Sequence, residues 1–280
     1  MRTGSKLGIF GLGAVALFSF AAAAGAALGP IDVGSSASHS ASDHTTNSAI
    51  GELSGLSVAA GGFQLVPSVD HIADSAPSTF VFRIDTSTGV VLTKFELLHE
   101  RRLHLIVLSR NLVDYLHVHP TMDSDGSWRV AVPPLNPGSY RVYADFQPTG
   151  SERITLGSDL QVPGPVPTVA LPPMSPTAET DGYQVAMSGV PIVGSSTLNF
   201  DVSHNGQSLA TDPYLGAAGH LVVIRAGDLG YLHVHPSDGP DPTVRFVAEF
   251  PTPGTYRLFF DFSHDGAVHT ASFTIEVPTS

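Results

Sequence analysis

The six residues Tyr115-Leu116-His117-Val118-His119-Pro120 recur letter for letter as Tyr231-Leu232-His233-Val234-His235-Pro236. The interval is 116 residues, and it also relates His104-Leu105 to His220-Leu221, the turn and strand at 137–141 to that at 253–257, and Asp145-Phe146 to Asp261-Phe262. A constant interval over that span leaves no room for insertion or deletion. The chain is therefore an internal duplication, and its fold must be one that fits twice into 280 residues.

Each copy is a series of short β-prone runs cut by Gly, Pro and Asp. In the first copy Ser78–Ile84 alternates apolar and polar residues, His104–Leu108 is almost continuously apolar, and Tyr140–Phe146 follows a Pro-Gly turn. No helical period competes with them. The pattern predicts an all-β chain of two tandem immunoglobulin-like β-sandwich modules. The expected boundaries are a signal peptide or membrane anchor over 1–27, a flexible spacer over 28–56, a first module over 57–163, a Pro-rich linker over 164–176 and a second module over 177–280. Trp128 alternates with Val130 and reads as a core anchor.

Side chains alternate along a strand. Leu116 and Val118 therefore face a core, while Tyr115, His117 and His119 share the opposite face. Pro120 cannot continue a ladder and ends the strand. His104 opens the preceding strand, so three imidazoles from two neighbouring strands can converge. His220, His233 and His235 form the equivalent set. Three imidazole nitrogens suit copper, zinc, nickel or iron. Asp145 and Asp261 are candidate fourth ligands, or carboxylates that accept an imidazole N–H from behind. His269 and His264 flank the turn after Asp261 and extend the second set, and Met122 offers a thioether near His119. The expected metal residues are thus His104, His117, His119, Asp145, His220, His233, His235, Asp261 and His269. The competing reading makes the same histidines structural, since duplication copies hydrogen-bonding residues as faithfully as ligands.

Composition narrows the chemistry. Cysteine is absent, which removes disulfides, thiol nucleophiles and thiolate-ligated metals. Thirteen basic residues against 25 acidic ones give a net charge of -12 and no footprint for nucleic acid. No HExxH, GxSxG, P-loop or dinucleotide fingerprint occurs, so the sequence points to binding rather than to an enzyme. At the N-terminus, Arg2 and Lys6 precede an apolar run from Leu7 to Leu28 that ends in small residues, the pattern of an export signal. The alternative is an uncleaved anchor, which would supply the protein's one contact with a membrane. Either places the modules outside the cytoplasm, secreted or attached to the cell envelope. Copper is the first choice of ion there and zinc the second.

The stretches FELLHERRLHL (95–105), YLHVHP (115–120), PGSYRVYADF (137–146), LGSD (156–159) and PYLGAAGHL (213–221) resemble a family of secreted or membrane-anchored actinobacterial proteins without an assigned function, some described as metal-binding. The single modules are distantly similar to small YtkA-like envelope domains. The resemblance implies export and a two-module layout, and it supplies no catalytic residues. Two functions follow as expectations. One is a copper buffer or delivery factor with a His-rich site in each module. The other is a non-catalytic cell-envelope interaction or adhesion module that holds a protein partner.

Overall fold

The computed structural model describes residues 53–73, 76–232, 234–237 and 242–279. The expected export segment and most of the spacer lie outside them. Every regular element among the described residues is a β-strand, and no helix there is long and apolar enough to cross a membrane.

The first module comprises β1 (Ala59–Ala60), β2 (Phe63–Pro67), β3 (Ser78–Thr86), β4 (Leu103–Ser109), β5 (Tyr115–Val118), β6 (Thr121–Met122), β7 (Trp128–Val132), β8 (Gly138–Phe146) and β9 (Ile154–Val162). They form two antiparallel sheets, ordered β1-β2-β3-β7-β6 and β5-β4-β8-β9. The second module comprises β10 (Thr177–Thr180), β11 (Tyr183–Ser188), β12 (Gly194–His204), β13 (Gln207–Leu209), β14 (His220–Arg225), β15 (Tyr231–Leu232), β16 (Val234–Ser237), β17 (Val244–Phe250), β18 (Gly254–His264) and β19 (Ala267–Val277). Its sheets run β10-β11-β12-β17-β16, with β13 on β12, and β15-β14-β18-β19. The protein is thus two immunoglobulin-like sandwiches from one duplicated unit. The duplication holds down to register: His104 lies opposite Asp145, and His220 opposite Asp261.

The pleat sorts each strand's side chains between two burial sites. On β4, Leu105 and Val107 enter the first module's core with Phe80, Phe82, Trp128 and Phe146. Trp128 stacks on Phe82 at 6.4 Å and meets Phe95 edge-on at 5.1 Å, as its alternation suggested. The other face of β4 carries Ile106 and Leu108. With Leu112 and Tyr143 these pack against Val222, Ile224, Leu229, Tyr231 and Phe259 of the second module. The near-continuous apolar character of β4 and β14 is explained: both strands are buried on both faces. At roughly 2 kcal/mol for each fully buried apolar side chain, this seam is ample to hold the modules together, and Ser48–Ser280 forms one compact unit.

The seam has pseudo-two-fold symmetry. Tyr115 donates its hydroxyl to Asp261 across the seam at 2.9 Å. Its duplicate Tyr231 bonds in return to Asp145. Each module lends a tyrosine to the other's aspartate, the self-complementary pattern of an isologous interface, here within one chain.

A short strap crosses the seam. Ser54 exchanges both backbone hydrogen bonds with Tyr231 at 3.0 Å. Gly55 donates to the Thr155 carbonyl at 3.0 Å, and Gly157 donates to that of Ser57 at 2.8 Å. Leu53 packs on the second core. Residues 53–56, within the stretch expected as a spacer, are therefore held against both modules. Gly55 has φ +71°, and a Cβ there would fall 2.4 Å from the Tyr143 ring, so only glycine fits.

Candidate metal centre

The His-x-His tract sits at a corner of the sandwich. β5 belongs to one sheet and β6 to the other, so the chain changes sheets just after His119. The pleat aims His104 and His117 at the seam, on the face shared with Ile106 and Tyr115. His104 Nδ1 lies 3.0 Å from His117 Nε2 and 3.1 Å from His119 Nε2. One nitrogen from each ring falls within 4.8 Å of the other two.

The partners on the far sides of the rings fix their protonation. His104 Nε2 is 2.9 Å from the Leu98 carbonyl, which can only accept, so Nε2 carries the proton and Nδ1 the lone pair. His117 Nδ1 donates to the Asp261 carboxylate at 2.8 Å, which leaves Nε2 as its lone-pair atom when the ring is neutral. Two lone pairs then face each other across 3.0 Å. That contact is repulsive unless a cation, a proton or a metal ion, lies among the nitrogens. Burial, then the neighbouring His117, holds His104 down to about 3, and the same causes with His104 added hold His119 down to about 2. Both rings are thereby kept in the neutral form that binds metals.

Asp261 does in this site what a carboxylate does behind a metal-bound imidazole: it fixes the ring's orientation and tautomer. It is itself buried and also accepts from Tyr115 and from Thr270, the latter at 2.6 Å. It belongs to the second module, whereas the three imidazoles belong to the first.

The sequence expectations are partly redistributed. Asp145 is engaged in an ion pair. Arg153 grips both its oxygens, and Thr155 donates to it at 3.2 Å. It stands beside the cavity as a neutralised charge. His220 joins the cluster from the other module, with its ring 6.1 Å from His104 and 6.2 Å from His117. Its Nε2 donates to the Tyr214 carbonyl at 3.0 Å, the duplicate of the His104–Leu98 bond. Burial, then His117 and His99, holds it down to about 4. His233 lies outside the described residues. The His235 backbone pairs with Val247 in β16. His269 is placed elsewhere: it pairs with Asp181 at 2.8 Å and packs on Tyr183 and Phe262. His264 Nδ1 shares a hydrogen bond of 2.8 Å with the Tyr183 hydroxyl there. Met122 pairs with Trp128 and packs on the first core, which takes its sulfur out of contention.

One member of the cluster escaped the sequence reading. His99 lies at 5.0 Å from the His220 ring, edge to face, and lines the same cavity. It occupies a tight turn between Leu98 and Arg101, where His99 and Glu100 have φ of +47° and +64°. The duplicate turn holds Leu215 and Gly216 at +50° and +75°. Glycine suits the second position, whereas Glu100 is strained there by about 1–2 kcal/mol. Glu100→Gly is expected to raise the unfolding free energy by about 0.5–1 kcal/mol after glycine's extra chain entropy is offset. Urea denaturation of the two proteins measures it, and an unchanged or lower midpoint would refute the strain.

The cavity among these residues measures about 30 Å³. That is room for about two species the size of a water or a metal ion, and too little for an organic substrate.

A family model described as Domain of unknown function (DUF8832) matches the chain twice, over residues 59–162 and 178–279. No curated protein matches. Among solved structures, the chain is similar to the adhesin FdeC of Escherichia coli at 14% identity, over 79% of this chain and 65% of that one, with a TM-score of 0.24. It is similar to the adhesin InvE of Yersinia pseudotuberculosis at 9% identity, over 76% and 58%, with a TM-score of 0.23. The Salmonella alpha-2-macroglobulin reaches 0.27 at 12% identity, over 82% and 16%. The chain thus spans less than two thirds of each of these proteins. At such scores the overlays transfer nothing about function.

Proposed function

From a chain that belongs to the DUF8832 family, with one copy of its domain in each sandwich, we propose an extracytoplasmic metal-binding protein. The single observation that carries the reading is the convergence of His104 Nδ1, His117 Nε2 and His119 Nε2 within 4.8 Å of one another, the arrangement three imidazoles take around one ion. Three neutral imidazoles without a thiolate suit copper first and zinc second. A cavity too small for a substrate supports storage or delivery over catalysis.

Titration of the metal-free protein with Cu(II), and separately with Zn(II), tests this. His117→Ala/His119→Ala is expected to weaken binding of the preferred ion at least 100-fold, because one remaining imidazole cannot chelate. Equal affinity and stoichiometry in that variant would overturn the assignment.

A second reading, a cell-envelope interaction module, is favoured by a different observation. A cleft of about 540 Å³ runs between the linker and the turns of the first module, lined by Arg110, Asn136, Tyr140, Val166 and Val169. Val166 and Val169 are exposed at 65% and 43%. This reading predicts a partner held equally well in chelator and lost with Val166→Asp/Val169→Asp.

A further inference from the structure

Among the described residues, the imidazoles at the seam fall into two groups. Two rings bound to one ion at metal–nitrogen distances of about 2.0–2.1 Å have centroids about 4.5–5.3 Å apart. Within the first trio the centroid spacings are 4.8, 4.8 and 5.3 Å. His99 and His220 are 5.0 Å apart, inside that range. All spacings between the groups that bear on the seam are longer: 6.1 Å for His104–His220, 6.2 Å for His117–His220 and 6.2 Å for His99–His104. The pair is therefore placed for an ion of its own.

The donor atoms agree. His220 gives its Nε2 proton to the Tyr214 carbonyl, so Nδ1 is left as the lone-pair atom, the same disposition as in His104. The Glu100 carboxylate lies over the neighbouring turn, where a Cβ on Gly216 would be 3.6 Å from its Oε1. It supplies negative charge on the turn that carries His99, next to the turn that follows Tyr214. The strain at Glu100 fits a residue retained for such a role. The duplicate turn has neither a histidine nor a carboxylate, so the feature belongs to one side of the seam only.

We propose that the seam holds two divalent transition-metal ions side by side: one on His104, His117 and His119, and a second on His99 and His220 with Glu100 flanking. The second position has two imidazoles against three. It is the weaker and more exchangeable of the two, suited to passing an ion to or from the trio. The proposal rests on the trio being a metal site.

Cu(II) added to the metal-free full chain provides the test, read as ions bound per chain and as the electron paramagnetic resonance spectrum. The native protein is expected to take two ions and to show a half-field transition from their magnetic coupling. His99→Asn, a change that the left-handed turn accepts, is expected to take one ion with its affinity unchanged and to lose the half-field signal. One ion in the native protein, abolished by His117→Ala/His119→Ala and untouched by His99→Asn, would overturn the second site and leave the first. Two ions in His99→Asn, or loss of the second ion on His233→Ala/His235→Ala alone, would also overturn it. No stoichiometric binding at all would defeat the metal reading itself.

Discussion

Acidifying the metal-free protein from pH 7 to pH 5 is expected to remove about 5 kcal/mol of folding stability, far more than a domain without buried histidines would lose. Burial and neighbouring imidazoles depress His104, His119 and His220 to about 3, 2 and 4 in the folded state. In the unfolded chain they titrate near 6.5. The folded protein thus binds fewer protons below pH 6.5 than the unfolded one. Stability is fully present above that pH and falls as the pH drops toward the folded values. At pH 5 each histidine forfeits about 2 kcal/mol. The sum comes to about 5 kcal/mol once the more exposed His119 is discounted for solvent screening. Urea unfolding at the two pH values in the presence of chelator measures the difference. His119→Gln should flatten the profile by roughly a fifth of the total. A profile that is flat in the native protein would mean that the cluster is hydrated and open.

Asp261→Ala is expected to lower stability by about 3 kcal/mol and metal affinity by about 10–100-fold. Three donors lose their acceptor together: His117 Nδ1, the Tyr115 hydroxyl and the Thr270 hydroxyl. Each unsatisfied buried donor costs about 1–3 kcal/mol, and release from burying a carboxylate offsets part of the sum. Metal affinity falls for a separate reason. Without Asp261 the His117 ring is free to rotate and to move its proton to Nε2, the atom needed as a ligand. Tyr115→Phe separates the two effects. It should cost about 1–2 kcal/mol of stability while metal affinity stays within a few-fold. If Tyr115→Phe weakened the metal as much as Asp261→Ala does, the loss would come from the seam and not from the imidazole.

The architecture was legible because it depends on local pattern and on repetition. Alternation along Ser78–Ile84, the Pro-Gly turns and the fixed interval between copies suffice for two sandwiches. The inward aim of Leu116 and Val118 follows from strand period alone, and both pack on the first core. The trio of His104, His117 and His119 was legible for the same reason, since neighbouring strands bring their side chains into contact. What lay beyond the sequence is everything that depends on how the two modules dock. The expectation paired each histidine set with the aspartate of its own module. Register does place Asp145 across from His104, but Arg153, eight residues on, claims it, and Asp261 arrives from the other module instead. The exchange of Tyr115 and Tyr231 between modules was equally hidden, although both tyrosines and both aspartates are duplicated at one interval. His99 lies outside the duplicated histidine pattern, and nothing in its neighbours' spacing marks it as a companion of His220. His269 was assigned by nearness in sequence to Asp261. The hairpin carries it to the opposite edge of its sheet, next to Tyr183.

The strap of Leu53–Ser57 sets how a pull from the N-terminal side would travel. Tension on the chain before Leu53 meets the paired backbone bonds of Ser54 and Tyr231 first. Tyr231 is also the residue that bonds to Asp145 beside the histidine cavity. A load applied at Leu53 would thus be shared between the second core, on which Leu53 packs, and the seam beside the histidine cavity.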